Sequence, residues 1–487
     1  MTIKFNLNGK GVSISKGRSD ETLLNWLRQD IDGHCGTKEG CAEGDCGACS
    51  VVISDTSLND EPMWRVVNSC ILFLPALHGR EVITVEGLSK PKCQLHPAQT
   101  AMVELNGSQC GYCTPGFMMT LAEAAHREDL DEPWKFHDQL SGNLCRCTGY
   151  RPIRESLRVI AGSQPSDLMS ERLQEVETTL PPLEHQSDST TFWRPKVLTE
   201  LLHLKSIHPE ALLLSGGTDL GLLKTKRHQQ LPQLIATEGI PELRTFKANS
   251  EGLHLGAAVT LADFEKALDE NWNPLLRMLR FFGSRQIKHR ATIGGNLCNA
   301  SPIGDLAPVL MSYDATVILA SEERGEREIP LSEFFLDYRK TALKADEVLI
   351  RIFIPQVSPE AKMSSYKLSR RREMDISAVS AGLRVELTDD QRIGVLRLCF
   401  GGIGAVPTRL SSLEGEWLGR EWNETTVEEI ALKVNQSINP ISDHRASEGY
   451  RRRLVVNYIR GFYFETLNVN QPLLPQHPGS SFDEAQL

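Results

Sequence analysis

The sequence contains no apolar stretch long enough to cross a membrane. Its longest apolar run, residues 71–77, is interrupted by Pro75, whereas a membrane-spanning helix needs roughly 20 consecutive apolar residues. The first eight residues alternate between apolar and polar side chains as a β-strand does, and they lack the apolar core of a signal peptide. We therefore expect a cytoplasmic protein that does not bind a membrane.

The sequence also lacks an excess of basic side chains. Its 487 residues include 53 Lys and Arg against 63 Asp and Glu, which gives a formal net charge of −10. No strongly basic region is visible, so nucleic acid is not expected as a partner. With 40% hydrophobic and 24% charged residues, the composition is that of a globular protein with about three domains.

Cysteine is scarce in most of the chain and concentrated at one end. Ten of the twelve cysteines lie within the first 150 residues. In a large chain without an export signal, such a concentration indicates metal ligation rather than a network of disulfides. The sequence therefore predicts a metal-binding N-terminal region followed by a different kind of domain.

The first set of cysteines has the spacing of an iron–sulfur loop. Cys41, Cys46 and Cys49 follow the pattern C-x4-C-x2-C, and Cys70 comes next. Plant-type ferredoxins hold a [2Fe–2S] cluster with this spacing. The glycines in the loop allow the backbone to wrap closely and to turn N–H groups towards the sulfurs. Zinc is the alternative, but zinc sites favour paired C-x2-C motifs, and this set contains one.

The second set of cysteines lies at the beginnings of two predicted helices. Cys110 and Cys113 precede the helical pattern that starts near Pro115, and Cys145 and Cys147 precede the one that starts near Pro152. Helix N-termini favour thiolates and anionic clusters because their N–H groups are unpaired. From spacing alone, these four thiolates suit either zinc or a second [2Fe–2S] cluster.

The first 160 residues resemble the iron–sulfur part of the molybdenum hydroxylases. The resemblance rests on residues 41–49, Cys70, the string 109–116 (QCGYCTPG) and the string 142–152 (GNLCRCTGYRP). It implies that the second set holds a [2Fe–2S] cluster in a four-helix domain, nearer to the molybdenum cofactor than the first cluster. It also implies that the remaining cysteines are not ligands: Cys35, Cys93, Cys298 and Cys399.

Two glycine pairs stand out in the rest of the chain, which contains no G-x-G-x-x-G motif of a Rossmann fold. Gly216 and Gly217 follow an apolar, strand-like run, and Gly294 and Gly295 open a second loop. Consecutive glycines expose backbone N–H groups that can bind a pyrophosphate. Each pair taken alone is better explained as a plain turn, because turns are the commonest use of glycine.

These loops resemble the two FAD loops of the flavoprotein domain that molybdenum hydroxylases share with vanillyl-alcohol-oxidase-type flavoenzymes. The resemblance implies that the loops hold the pyrophosphate and ribityl chain, that Asp305 binds hydroxyls of the cofactor and that Phe282 stacks near a ring. The implied FAD contacts are Leu213, Leu214, Ser215, Gly216, Gly217, Thr218, Asp219, Leu220, Phe282, Thr292, Ile293, Gly294, Gly295, Asn296, Asp305, Leu349 and Lys367.

Together these features predict a multidomain α+β protein. We expect a plant-type ferredoxin β-grasp domain at 1–90, a four-helix [2Fe–2S] domain at 91–163 and a linker at 164–190. An α+β FAD-binding domain of the vanillyl-alcohol-oxidase (PCMH) type follows at 191–356. An α+β domain like the C-terminal domain of the CO dehydrogenase flavoprotein occupies 357–468, and 469–487 form a tail.

The order of iron–sulfur and FAD modules is similar to that in the small subunits of bacterial xanthine dehydrogenases. This resemblance implies a separate large subunit that carries the molybdopterin cofactor, in an (αβ)2 heterotetramer. It implies electron transfer through both clusters to FAD and then NAD⁺, while hypoxanthine and xanthine are hydroxylated to urate. No residue for acid–base catalysis is expected in this chain.

Three alternatives remain open at the level of sequence. A related hydroxylase acting on aldehydes, nicotinate or another heterocycle would use the same electron path. A stand-alone NADH reductase would reduce dyes without a partner subunit. A zinc-stabilised scaffold would be colourless, whereas two [2Fe–2S] clusters bring about four irons per chain.

Overall fold

A computed structural model describes residues 1–29, 33–89, 95–176, 178–371 and 373–467. Cys93 and the predicted tail at 469–487 lie outside these residues. The chain divides into two compact units. The first unit comprises residues 1–244, 260–263 and 283–292, and the second comprises residues 245–259, 264–282 and those from 293 onward.

The first unit begins with a five-stranded mixed sheet and one helix. Its elements are β1 (Ile3–Leu7), β2 (Lys10–Ile14), α1 (Leu23–Gln29), β3 (Ser50–Thr56), β4 (Pro62–Asn68) and β5 (Glu81–Ile83). The strand order is β2-β1-β5-β3-β4. Strands β1 and β5 are parallel, and the other neighbours are antiparallel. This is the mixed sheet expected for a β-grasp ferredoxin domain.

The central strand β3 is buried along its whole length because both faces of the sheet are covered. Val51 and Ile53 pack into one core with Phe73. Val52, which points to the opposite face, packs into a second core with Phe117. A fully buried aliphatic side chain stabilises a fold by about 1.5–3 kcal/mol. Because its side chains alternate between the two cores, β3 stabilises the packing on both faces of the sheet.

A bundle of four helices follows: α2 (Pro97–Glu104), α3 (Thr114–Ala125), α4 (Pro133–Ser141) and α5 (Arg151–Ile160). Each helix has a proline in its first turn, where the fixed φ of proline suits a helix start and its missing N–H costs no hydrogen bond. The four-helix domain is therefore confirmed as predicted.

The first unit continues with a second, four-stranded sheet. Its elements are α6 (Leu168–Leu173), β6 (Leu183–Gln186), β7 (Thr191–Arg194), α7 (Leu198–Ile207), β8 (Leu212–Leu214), α8 (Leu220–Thr225) and β9 (Gln233–Ala236). The strand order is β6-β7-β9-β8, and β8 and β9 are parallel. The segment predicted as a linker, 164–190, thus carries both a helix and an edge strand.

The next stretch of chain contributes to both units. Its elements are β10 (Phe246–Asn249), β11 (Gly252–Gly256), α9 (Leu261–Ala267), α10 (Asn273–Arg280), α11 (Arg285–Lys288), α12 (Ile293–Cys298), α13 (Leu306–Ser312), β12 (Thr316–Ser321), β13 (Gly325–Pro330), β14 (Phe335–Asp337), β15 (Lys340–Thr341) and β16 (Val348–Pro355). Helix α11 belongs to the first unit. In the second unit, the antiparallel order is β10-β11-β16-β12-β13.

The second unit ends in an antiparallel sheet covered by helices. Its elements are β17 (Lys362–Leu368), β18 (Val379–Leu387), β19 (Ile393–Gly401), β20 (Thr408–Arg409), α14 (Ser411–Glu414), α15 (Glu424–Ser437) and α16 (Glu448–Thr466). The sheet packs Phe400 against Ile430 and Val455 of the last two helices in one core. Among the described residues, no helix combines the length and apolar character needed to span a membrane.

Candidate metal centres and flavin loops

The first cysteine set lies in an irregular loop between α1 and β3, together with a short 3-10 turn after β4. Gly44 and Gly47 adopt φ of 79° and 67°, and Ala42 also has a positive φ of 54°. This backbone turns the Cys46 N–H towards Cys41 Sγ, at 3.3 Å. Glycine takes up such left-handed conformations without steric cost, so the glycines allow the loop to curl around its sulfurs.

The four thiols of the first set contact one another in two pairs. Cys41 pairs with Cys46, and Cys49 pairs with Cys70. The Cys46 thiol, together with the N–H groups of Glu43, Cys46 and Asp45, lowers the pKa of Cys41 to about 5. The Cys70 thiol likewise lowers the pKa of Cys49. One thiol of each pair is therefore favoured as the thiolate, the form that binds metals. The hydrogen bond to that thiol, together with burial, raises the pKa of the partner, Cys46 or Cys70.

The second set also forms two pairs, at the N-termini of α3 and α5. Cys113 pairs with Cys145, and Cys110 pairs with Cys147. Burial opposes ionisation of Cys145, but the Thr148 hydroxyl and backbone N–H groups outweigh it and lower the pKa. The four cysteines come from two distant strings of sequence, so only the helix packing brings them together.

Two side chains of the second loop support Cys145 in a way that the sequence analysis missed. The Thr148 hydroxyl lies 3.1 Å from Cys145 Sγ, and the Cys145 N–H donates to Tyr150 Oη at 2.9 Å. Tyr150 takes a left-handed φ of 68°, a conformation that is uncommon for a bulky residue. The signal that could have indicated them is their position directly after Cys147.

The pairing of the thiols distinguishes between zinc and a two-iron cluster. A tetrahedral zinc with Zn–S bonds of about 2.3 Å draws all four sulfurs to within about 4 Å of one another. All eight cysteines are described, yet no three of their sulfurs gather within 4.8 Å. Two separate pairs per set suit two irons with two thiolates each. The residues present therefore fit [2Fe–2S] clusters better than zinc.

A third group of metal-type ligands does not suit a metal. His96 Nε2 and His126 Nε2 lie 2.8 and 2.9 Å from Asp167 Oδ2. However, the Ala98 N–H donates to His96 Nδ1 at 3.1 Å, which leaves the ring proton on Nε2, the atom that faces the carboxylate. The imidazole therefore donates a hydrogen bond to Asp167. This group connects α2, α3 and the start of α6.

In the first unit, the loop after β8 comes close to the segment that precedes Thr292. A Cβ on Gly216 would lie 1.6 Å from the Arg290 carbonyl oxygen, and Gly217 has a φ of 78°. Ser215 Oγ is buried without a hydrogen-bond partner. A buried hydroxyl without a partner and a loop that excludes side chains both fit the binding of a polar ligand such as a pyrophosphate. Among the predicted FAD contacts of the first unit, the structure therefore brings the loop that contains residues 213–220 close to the segment that leads into Thr292.

In the second unit, three of the predicted FAD residues lie together. Lys367 Nζ contacts the Asp305 carboxylate at 2.8 Å and donates to the Phe281 carbonyl at 3.1 Å. It also lies 5.9 Å from the centre of the Phe282 ring. Ser377 Oγ donates to the other oxygen of Asp305 at 2.5 Å. The Asp305 carboxylate is therefore held by two partners of the protein itself.

The remaining predicted FAD residues of the second unit lie at the start of α12 and on β16. A Cβ on Gly294 would lie 2.6 Å from Ala257, and the Gly294 N–H donates to the Ala257 carbonyl at 2.9 Å. Leu349 is buried and stands opposite Leu319 in the sheet. Close backbone packing explains Gly294, and core packing explains Leu349, so their cofactor contacts remain predictions.

Four known families match consecutive parts of the chain. They are the 2Fe-2S iron-sulfur cluster binding domain over residues 5–74, the [2Fe-2S] binding domain over 84–158, the FAD binding domain in molybdopterin dehydrogenase over 187–357 and the CO dehydrogenase flavoprotein C-terminal domain over 364–466. The chain belongs to the molybdenum hydroxylase family. It carries two [2Fe–2S] domains and an FAD-binding domain.

The molybdenum hydroxylases that the chain resembles in sequence include several xanthine dehydrogenases. It is 33% identical to xanthine dehydrogenase of Oryza sativa subsp. japonica over 86% of the chain and 36% of the relative. It is 32% identical to xanthine dehydrogenase/oxidase of Gallus gallus, over 95% of the chain and 40% of the relative. It is 31% identical to xanthine dehydrogenase 2 of Arabidopsis thaliana, over 99% of the chain and 41% of the relative. The chain thus spans about two fifths of the length of these relatives.

Solved structures of the family share the fold of about half of the chain. A carbon monoxide dehydrogenase chain from Hydrogenophaga pseudoflava matches with a TM-score of 0.52 and 22% identity, over 55% of this chain and 94% of that chain. A quinoline 2-oxidoreductase chain from Pseudomonas putida 86 matches with a TM-score of 0.50 and 23% identity, over 56% of this chain and 95% of that chain. These similarities confirm the predicted class of fold.

Proposed function

We propose that the chain is the electron-transfer subunit of a xanthine dehydrogenase. The observation that carries this proposal is sequence identity of 31–33% to xanthine dehydrogenases over 86–99% of the chain, which includes the iron–sulfur and FAD domains together. We further propose that a separate large subunit binds the molybdopterin cofactor, in an (αβ)2 heterotetramer. A cytoplasmic location is part of the same proposal.

When bound, the clusters and FAD carry electrons from the molybdenum subunit to NAD⁺ during hydroxylation of hypoxanthine and xanthine to urate. The role of this chain is to hold these groups in the order of electron transfer and to protect them from solvent. The eight cysteines are the proposed iron ligands, and the FAD contacts predicted above are retained as proposals. The domain boundaries predicted from the sequence are retained as well, except that the segment 164–190 is folded rather than a linker.

The exposure of the two cysteine sets supports the proposed order of the clusters. Cys110 and Cys147 of the second set are exposed, and Tyr112 beside them is 50% exposed. Cys49 and Cys70 of the first set are buried, at 2% and 1% exposure. The exposed second set suits electron entry from a partner subunit. The buried first set suits a position between the second cluster and FAD in the electron path.

The test is to produce the chain with its molybdenum subunit and to measure xanthine-dependent reduction of NAD⁺. We expect turnover with xanthine, together with flavin and about four irons per chain from two [2Fe–2S] clusters. The variant Cys147→Ser should abolish turnover and retain FAD, whereas Cys35→Ser should remain active. Turnover of an aldehyde or another heterocycle instead of xanthine would reject the substrate and keep the electron path. Dye reduction by NADH without any partner dependence would favour a stand-alone reductase.

A further inference from the structure

We propose that Asn143 is a positioning residue that sets the separation and orientation of the two cysteine loops, and that Gln286 holds it in place. This inference rests on the proposed function, because it assigns a role in electron transfer between the two [2Fe–2S] clusters of this chain. Asn143 lies two residues before Cys145 of the second set and is 2% exposed. Its side chain points at the first set.

The side-chain amide of Asn143 bonds the first loop with its N–H groups and helices α3 and α11 with its oxygen. Its Nδ2 donates to the carbonyl of Gly47, which lies between Cys46 and Cys49, at 3.0 Å. Nδ2 also lies 3.4 Å from Ser50 Oγ. Its Oδ1 accepts from Thr120 Oγ1 at 2.6 Å and from Gln286 Nε2 at 2.9 Å. A buried amide with both ends bonded has one favoured orientation.

A second contact joins the same two loops directly. The Leu144 N–H donates to the Cys46 carbonyl at 3.0 Å. Residues 143 and 144 thus bind two consecutive carbonyls of the first loop, those of Cys46 and Gly47. One hydrogen bond therefore connects the backbone of a ligand of the first set to the residue that precedes Cys145.

The two loops approach so closely that side chains are excluded between them. A Cβ on Gly47 would lie 2.1 Å from the Gly142 carbonyl oxygen, and a Cβ on Gly116 would lie 2.2 Å from the Gly47 carbonyl oxygen. A Cβ on Gly142 would lie 1.8 Å from Gln286 Oε1. Gln286 is 1% exposed and is supplied by α11, six residues before Thr292. This tight contact leaves little freedom for the loops to shift.

The chemistry explains why an amide is suited to this position. Electron tunnelling weakens steeply with distance, so a contact that fixes the separation of two redox groups also fixes their exchange rate. An aspartate at 143 would have the same shape but no N–H donors, and its carboxylate would face the Gly47 carbonyl. It would also add a negative charge between the two cysteine loops, which would disfavour reduction of the clusters that these loops would hold.

The test compares Asn143→Asp with the control Asn59→Asp, which adds the same charge at an exposed turn. Electron paramagnetic resonance of the dithionite-reduced full chain reports the magnetic interaction between the two clusters, which depends on their distance and orientation. Redox titration gives their midpoint potentials. We expect Asn143→Asp to change the interaction splitting and to lower both potentials, with four irons and FAD retained, and Asn59→Asp to match the wild type.

A second variant keeps the proposal testable if Asn143→Asp fails to assemble. Gln286→Met removes one donor to Asn143 without adding charge and replaces no residue of either cysteine loop, so it should change the splitting and leave the iron content intact. Unchanged splitting in an intact Gln286→Met protein, or in an intact Asn143→Asp protein, overturns the inference. Because no xanthine is involved, a wild-type enzyme that fails to oxidise xanthine would reject the proposed function and leave this result unaffected.

Discussion

Arg65 Nη2 lies 2.8 Å from both carboxylate oxygens of Asp263, although 198 residues separate them in the chain. Both side chains are buried, at 1% and 7% exposure. Thr260 Oγ1 also donates to Asp263, at 2.7 Å. The pair connects β4 of the ferredoxin sheet to the short return of the chain at 260–263. A buried charge whose partner is removed destabilises a fold by about 3–5 kcal/mol.

We therefore expect Asp263→Asn to lower the free energy of unfolding of the first unit by about 3 kcal/mol. The effect lies at the low end of this range because the substitution keeps the shape of the side chain and Arg65 Nε retains the buried Asp55 carboxylate at 3.1 Å. Urea unfolding followed by circular dichroism measures the effect. Arg151→Ala is the control, because its pair with Glu155 is exposed and such pairs contribute about 0–1 kcal/mol. Equal effects of both variants would contradict the prediction.

Replacing a proposed ligand should remove one cluster and leave the other. We expect Cys113→Ser to reduce the iron content from about four to about two per chain, since each [2Fe–2S] cluster needs four protein ligands. Iron and acid-labile sulfide analysis measures this. Cys35→Ser should retain all the iron, because Cys35 belongs to none of the four thiol pairs. A loss of iron in Cys35→Ser would show that the ligand assignment is incomplete.

The Thr148 hydroxyl should raise the reduction potential of the second cluster. Hydrogen bonds to cluster sulfurs favour the reduced, more negative state, and Thr148 Oγ1 lies 3.1 Å from Cys145 Sγ. We expect Thr148→Val, which has nearly the same shape, to lower the midpoint potential of this cluster alone. Thr148→Ser should retain the wild-type potential. Redox titration followed by electron paramagnetic resonance separates the two clusters, and equal potentials in all three proteins would refute the role.

His78 should make the first unit less stable in mild acid. Burial and the nearby cations Arg194 and Lys4 lower the pKa of His78 to about 4, and its Nδ1 accepts the Lys4 N–H at 2.9 Å. The unfolded chain takes up a proton near pH 6.5, whereas the folded protein resists it until about pH 4. The contribution to stability is therefore complete above pH 6.5 and is lost as the pH falls from there to about 4.

The variant His78→Asn checks this, because its side-chain oxygen can accept the same N–H without titrating. We expect the wild type to lose more stability than His78→Asn between pH 7 and pH 4, as measured by urea unfolding at each pH. Other titrating groups are common to both proteins, so the difference isolates His78. Parallel curves would exclude the effect.

Gly216→Ala should impair FAD binding and spare the clusters. Its Cβ would lie 1.6 Å from the Arg290 carbonyl oxygen, so the loop after β8 must move. We expect the ratio of flavin to iron to fall while iron stays near four per chain. Gly415→Ala is the control, because a Cβ there would have no atom within 4 Å. Retention of flavin in Gly216→Ala would remove this loop from the candidate FAD site.

Helix α4 shows where sequence periodicity was insufficient. The sequence pattern predicts the helices that start near Pro115 and Pro152, whereas α4 follows only from the resemblance to a four-helix domain. Two of its three buried side chains are Asp138 and Gln139. They are buried because Lys288 contacts Asp138 at 3.1 Å and Gln139 donates to the Thr120 carbonyl at 2.8 Å. An apolar pattern cannot reveal a face that is buried through polar contacts.

The amino-acid sequence alone determined the chemistry that is local in the chain. The spacing of the first four cysteines is set by neighbouring residues and indicates an iron–sulfur loop before any fold is known. The second cluster and the flavin domain follow from the resemblance of whole sequence strings to the molybdenum hydroxylases. Only the tertiary structure decided which thiols pair, that Thr148 and Tyr150 support Cys145, and that Asn143 reaches Gly47. Asn143 and Gly47 are 96 residues apart, so their contact depends on how whole layers pack, and no local pattern encodes that packing.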